Sequence, residues 1–135
     1  MLGSLTVIAR DTRTLLRTAL EQCEQPIEGS CFFAAELLNA ALGNFWIPQG
    51  ENRFSRIEGG DGEQDGGIID FEGHCHGHYW VRAGNERENF VIDITADQFG
   101  LQAVLVLPSL VASDWYQPGA QSNIDAHVKS FGLLK

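Results

Sequence analysis

The stretch HYWVRAGNERENFVIDIT, residues 78–95, decides how the chain is read. Two runs rich in valine, isoleucine and aromatic rings, HYWVR and NFVIDIT, flank the polar segment AGNERE, the composition of two strands joined by a hairpin connection. A hairpin centred between Asn85 and Glu86 sets His78 directly opposite Asp93. Opposite side chains on an antiparallel pair have Cβ atoms about 4.5–5.5 Å apart, within reach of an imidazole to carboxylate hydrogen bond. The juxtaposition depends on register, because a slip of one residue moves every side chain to the other face.

Upstream, the segment PIEGSC offers Ser30 as the N-cap of a helix running from Cys31 to Leu42, with Ala34, Ala35, Leu37, Leu38, Ala41 and Leu42 apolar and Gly43 as its stop. A thiol is nucleophilic as thiolate, and unpaired amides in the first turn of a helix favour that charge. Cys31 occupies that position. Gly29 leaves the backbone open to a substrate carbonyl, and the amide of Cys31 can donate to a developing oxyanion. The competing reading is a buried structural cysteine. With Cys31 as nucleophile, His78 as base and Asp93 as the group that orients the base, the chain carries the three roles of a thiol acyl-transfer site in the order Cys, His, Asp.

Around these elements, Asp11 reads as the cap of a first helix with Leu15, Leu16, Ala19, Leu20 and Cys23 at helical spacing, ended by Pro26. Residues 47–67 are polar and glycine-rich and read as a mobile loop whose acidic residues Glu58, Asp61, Glu63 and Asp65 form a solvated face able to gate a cleft. GIIDF reads as the first strand of an antiparallel meander with HYWVR and NFVIDIT. AVLVLP reads as a further buried strand ended by Pro108, and the tail from Asn123 as a last short helix. Trp80 and Phe90 are expected in the core or cleft wall, and Asp97 and Gln98 can cap or line the site.

At these residues the chain resembles the transglutaminase-like superfamily, a branch of the papain-like fold. His78-Tyr79-Trp80-Val81 is similar to the family's His-x-Trp-Val strand, Val91-Ile92-Asp93-Ile94-Thr95 to its apolar-apolar-Asp-x-Thr strand, and Gly29-Ser30-Cys31-Phe32 to the small-small-Cys-aromatic start of the papain-like helix. The resemblance covers Gln25 to Phe99, and its specificity comes from three motifs agreeing. Two positions depart from the pattern. Ile94 stands where many relatives carry proline, and Arg82 stands where many carry glutamate. The resemblance implies an α+β fold in which a central helix bearing Cys31 packs on an antiparallel sheet bearing His78 and Asp93. It also implies amide hydrolysis, glutamine deamidation or transfer to an amine through a thioester, on a protein or peptide substrate and without a cofactor. In papain-like proteases a glutamine about six residues before the cysteine completes the oxyanion hole. Gln25 holds that place, with Gln22 nearly as well situated.

A second constellation competes. His74-Cys75-His76-Gly77-His78 concentrates four potential metal ligands. On a regular strand its three histidines share one face, where alternate histidines can hold zinc. A closed structural site wants further spaced ligands, and the remaining Cys23, Cys31, His127 and carboxylates show no recognisable spacing. The reading from a different class is therefore a non-enzymatic or metal-binding partner-binding domain on the same fold, and in the bland reading His74 and His76 flank the cleft.

Length and composition bound both readings. A chain of 135 residues is expected to form one domain, and 44% hydrophobic with 20% charged residues lies in the globular range. A net charge of −9 repels phosphate backbones and anionic headgroups, which argues against nucleic acid and membrane as partners. The start MLGSLTVIARDTR reaches charge too soon for a signal peptide, and three cysteines are an odd number for a disulfide framework. A reduced, cytoplasmic protein is the expectation, while secretion as an effector without a cleavable signal would leave no trace in such a sequence.

Overall fold

The computed structural model describes residues 1–62 and 65–131, and Glu63 of the acidic stretch lies outside them. Helices pack on an antiparallel sheet, an α+β architecture. In chain order the elements are α1 (Leu2–Gln22), α2 (Cys31–Phe45), β1 (Phe54–Gly60), β2 (Gly67–Ile69), β3 (Cys75–His76), β4 (His78–Gly84), β5 (Asn89–Asp93), β6 (Leu105–Pro108), α3 (Ser109–Ala112), β7 (Tyr116–Gln117) and α4 (Gln121–Phe131). The main sheet has the order β1-β4-β5-β6 and a smaller one the order β3-β2-β7.

Side-chain alternation gives the main sheet two distinct faces. One carries Ile57, Val81, Ala83, Phe90 and Ile92, which pack with Leu5, Ala9 and Leu16 of α1 and Ala34, Leu38 and Leu42 of α2. The other carries Trp80 and Val91, covered by Ile68, Ala112 and Tyr116 from β2, α3 and β7. His78 and Asp93 belong to this second face.

Four expectations are corrected. The first helix begins at Leu2, and Asp11 lies inside it. Leu5 and Ala9 extend the apolar stripe upstream and are wholly buried, while the hydroxyls of Thr6 and Thr12 bond carbonyls four residues back. Helix α2 likewise runs through Gly43 to Phe45, where Trp46, almost fully buried, anchors its end.

The expected mobile loop contains a strand. β1 spans Phe54–Gly60 and pairs with the whole of β4, from Phe54 opposite Gly84 to Gly60 opposite His78. Glu58, expected on a solvated face, is 4% exposed and accepts hydrogen bonds from Arg82 Nε (2.8 Å) and Trp80 Nε1 (3.3 Å). The glycines here serve close backbone approach. Gly59 has φ +145°, and a Cβ there would lie 2.2 Å from the His78 carbonyl oxygen.

The meander is also redrawn. Of GIIDF only Gly67–Ile69 forms a strand, and this β2 pairs with β3 and β7 in the small sheet, while β1 takes the place beside β4. β6 and the C-terminal helix α4 lie where the sequence placed a strand and a short helix.

Candidate active site

The hairpin that carries His78 and Asp93 is shifted from the expected register. Gly84 pairs with Asn89 and Arg82 with Val91, which centres the turn between Glu86 and Arg87. The cause is a four-residue turn: Asn85 N–H donates to Glu88 O (2.8 Å), and Asn85 Oδ1 accepts from the amides of Arg87 and Glu88, both at 2.9 Å. The register displaces Asp93 by two residues from the position opposite His78. An even displacement keeps both side chains on one face, as diagonal neighbours. They meet with His78 Nε2 at 2.7 Å from Asp93 Oδ2, and both residues are almost wholly buried.

Asp93 is surrounded by hydrogen-bond donors. Oδ1 accepts from Thr95 N–H at 2.9 Å, and Oδ2, already bound to His78, also accepts from the Tyr116 hydroxyl at 2.7 Å. Around the imidazole, Phe99 packs edge to face at 4.8 Å and Trp80 lies at 6.2 Å. Tyr116 packs in turn on Trp80 at 5.0 Å. Tyr116 and Phe99 went unrecognised in the sequence because they come from distant segments with no motif spacing; only the fold brings them to the histidine.

Cys31 reaches this histidine from the other face of the sheet. Its neighbour Phe32 packs edge to face on Tyr79, the second residue of β4, at 5.1 Å, and on His127 of α4 at 4.3 Å. This aromatic cluster seats the first turn of α2 against the start of β4. Tyr79 donates to Asp61 (2.6 Å), and burial, that bond and the charges of Asp61 and Cys31 push its phenol pKa upward.

His78 Nδ1 is buried and has no hydrogen-bond partner among the described residues, and Cys31 acts on this ring from α2. Burial pulls the imidazole toward its neutral form. The Asp93 carboxylate outweighs it through charge and hydrogen bond, Cys31 adds to the effect, and the pKa rises from 6.5 to about 9. A base more readily protonated in the folded protein than in the unfolded chain stabilises the fold. That contribution is complete below about pH 6.5 and disappears as pH rises through about 9. Urea unfolding at pH 6 and pH 10 should show a stability loss at the higher pH that shrinks in Asp93→Asn, and an equal loss in both proteins would contradict the assignment.

The first turn of α2 has no side-chain cap. Ser30, expected to cap it, instead donates its hydroxyl to Ile27 O (2.6 Å), which leaves first-turn amides free of side-chain partners. Cys31 is partly exposed.

Gln25 is not brought to this site. Its amide closes the end of α1 on Leu20 O (2.9 Å), and its exposed side chain opens on a cleft of about 300 Å3 lined by Arg13, Arg17 and Asp97, which neither Cys31 nor His78 lines. Asp97 is tied to Arg13 of α1 by paired bonds of 2.9 and 2.8 Å, so it braces the turn after β5.

The histidine cluster is split between two sheets. β3 ends at His76 and β4 begins at His78, so the single strand that would align three histidines does not form. His76 bonds Asp70 at 2.7 Å, and exposed His74 lies 3.8 Å from Asp70 and 3.7 Å from Glu72. The bond from His76 and the amides of His74 and Glu72 lower the Asp70 pKa to about 2. Among the described residues no three His, Cys, Asp or Glu side chains are grouped to hold a metal ion, and no helix is long and apolar enough to cross a membrane.

No family model, curated protein or solved structure matches the chain.

Proposed function

We propose that this protein is a cysteine-dependent amide hydrolase or acyl transferase of the transglutaminase-like, papain-like kind. The observation that carries the reading is the division of the His78 ring: Nε2 is pinned to Asp93, Nδ1 has no hydrogen-bond partner among the described residues, and Cys31 at the start of a helix acts on the same ring. This gives each of the three residues one role.

Asp93 selects the orientation of His78 and stabilises its imidazolium. Neutral His78 takes the thiol proton of Cys31, the imidazolium so formed holds the thiolate as an ion pair, and the helix start acts in the same direction. The thiolate attacks an amide carbonyl carbon, and the oxygen that becomes negative finds donors in the uncapped first-turn amides of α2. His78 then gives its proton to the departing amine as the C–N bond breaks, leaving a thioester on Cys31. Water or a second amine, deprotonated by His78, attacks the thioester and releases the acid or the new amide. The substrate class is a protein or peptide amide.

The test begins with the thiols. Limiting iodoacetamide should alkylate Cys31 before exposed Cys23 and partly exposed Cys75, because Cys31 acts on a buried imidazole held by Asp93, whereas the His76–Asp70 pair next to Cys75 lies in solvent. Peptide mapping by mass spectrometry reads the order. Modification of Cys23 or Cys75 first, with Cys31 inert in the folded protein, would remove the nucleophile from the proposal.

A further inference from the structure

We infer that Tyr116 is a fourth member of this constellation, a positioning residue that sets the basicity of His78 through the oxygen atom of Asp93 that both share. The inference rests on the proposed triad for its catalytic meaning, but its physical content concerns Tyr116, Asp93 and His78 alone.

The geometry is specific. Tyr116 Oη and His78 Nε2 each lie 2.7 Å from Asp93 Oδ2, and all three side chains are buried. A phenol has one proton, and a carboxylate oxygen only accepts, so Tyr116 donates. The hydroxyl draws negative charge toward itself and away from the imidazole. It thereby stabilises the carboxylate while weakening the hold of that carboxylate on a protonated His78. Burial and the nearby charge of Asp93 push the Tyr116 pKa upward, which keeps the phenol proton in place as donor.

Other groups do not substitute for this role. Among the described residues, the charged and titratable groups acting on His78 are Asp93 from β5 and Cys31 from α2, and the one acting on Tyr116 is Asp93. Glu58 of β1, on the same sheet face, is engaged by Arg82 and Trp80. Thr95 serves the other carboxylate oxygen, Oδ1. The Tyr116 ring packs on Trp80, so removing the hydroxyl leaves the packing surface intact.

Tyr116→Phe should therefore fold and raise the pH at which His78 titrates by about one pH unit, as loss of a hydrogen bond to a charged group predicts. The readout is the NMR shift of the His78 ring in histidine-labelled protein. Site-specific 3,5-difluorotyrosine at position 116 makes the phenol a stronger donor and should move the midpoint downward. The opposite signs separate tuning from a structural role, which would lower stability without ordering the titrations. A His78 midpoint unchanged by both substitutions would overturn the inference, and the fluorinated protein alone decides it if Tyr116→Phe fails to fold. Iodoacetamide rates on the same samples judge the thiol separately: a midpoint that follows residue 116 while Cys31 stays inert supports the Tyr116 relay and rejects the nucleophile.

Discussion

Asp93→Asn should lower the Cys31 alkylation rate at pH 7 by about tenfold or more, and any amide-cleaving activity by about 10⁴-fold, while the protein remains folded. The amide oxygen of asparagine can keep the bond from Thr95 N–H that Oδ1 now accepts. Its NH2 group then occupies the place of Oδ2, facing His78 Nε2 and the Tyr116 hydroxyl. A donor there favours the His78 tautomer whose Nε2 accepts and whose Nδ1 carries the proton, so the neutral ring has no lone pair to offer Cys31. The charge that lifts the His78 pKa is also lost, and burial, which acts downward, then dominates. The pH profile of alkylation and the NMR titration of His78 report the two effects. A folded Asp93→Asn protein with an unaltered Cys31 profile would make the carboxylate purely structural.

Glu58→Ala should cost about 3 kcal/mol of folding stability, within the range for removing one partner of a buried ion pair. The Glu58 and Arg82 side chains are 6% and 16% exposed. Truncation leaves Arg82 with Asn89 Oδ1 at 3.1 Å and removes the acceptor of the Trp80 indole N–H. Both losses fall on β4, the strand that begins with His78. Glu58→Gln keeps the shape and an acceptor but not the charge, and should cost about half as much. Urea denaturation monitored by tryptophan fluorescence measures both, and an alanine variant within about 0.5 kcal/mol of wild type would show that Glu58 behaves as the surface residue its neighbours suggested.

Glu58 shows where local reading stops. The glycines and acids around it resemble a solvated loop, and composition is what a window of sequence reports. The burial of Glu58 comes from Arg82, Trp80 and the pairing of β1 with β4, more than twenty residues downstream. Gly59 likewise reads as flexibility, yet it is where two strands come too close for a Cβ. The upstream start of α1 is a related case: Leu5 and Ala9 keep helical spacing, but apolar Val7 between them is exposed, so the pattern there marks no single face until the covered surface is known.

The sequence by itself determined the local elements of the candidate site. Alternation and β-branched content define β4 and β5, helical spacing and the small residues before Cys31 define α2, and AGNERE marks the connection. His78 and Asp93 share a face in either register because pleating has a period of two and the shift was even. Tertiary structure alone decided what meets across the sheet. The Asn85 turn made the pair diagonal, the Phe32, Tyr79 and His127 contacts carried Cys31 to the start of β4, and the small sheet delivered Tyr116 to Asp93. Gln25, chosen by its spacing from Cys31, opened on another cleft. Spacing along a chain constrains which face of one element a side chain occupies; which distant side chain shares a proton with it depends on how elements pack, and packing is set by buried surface summed over the whole fold.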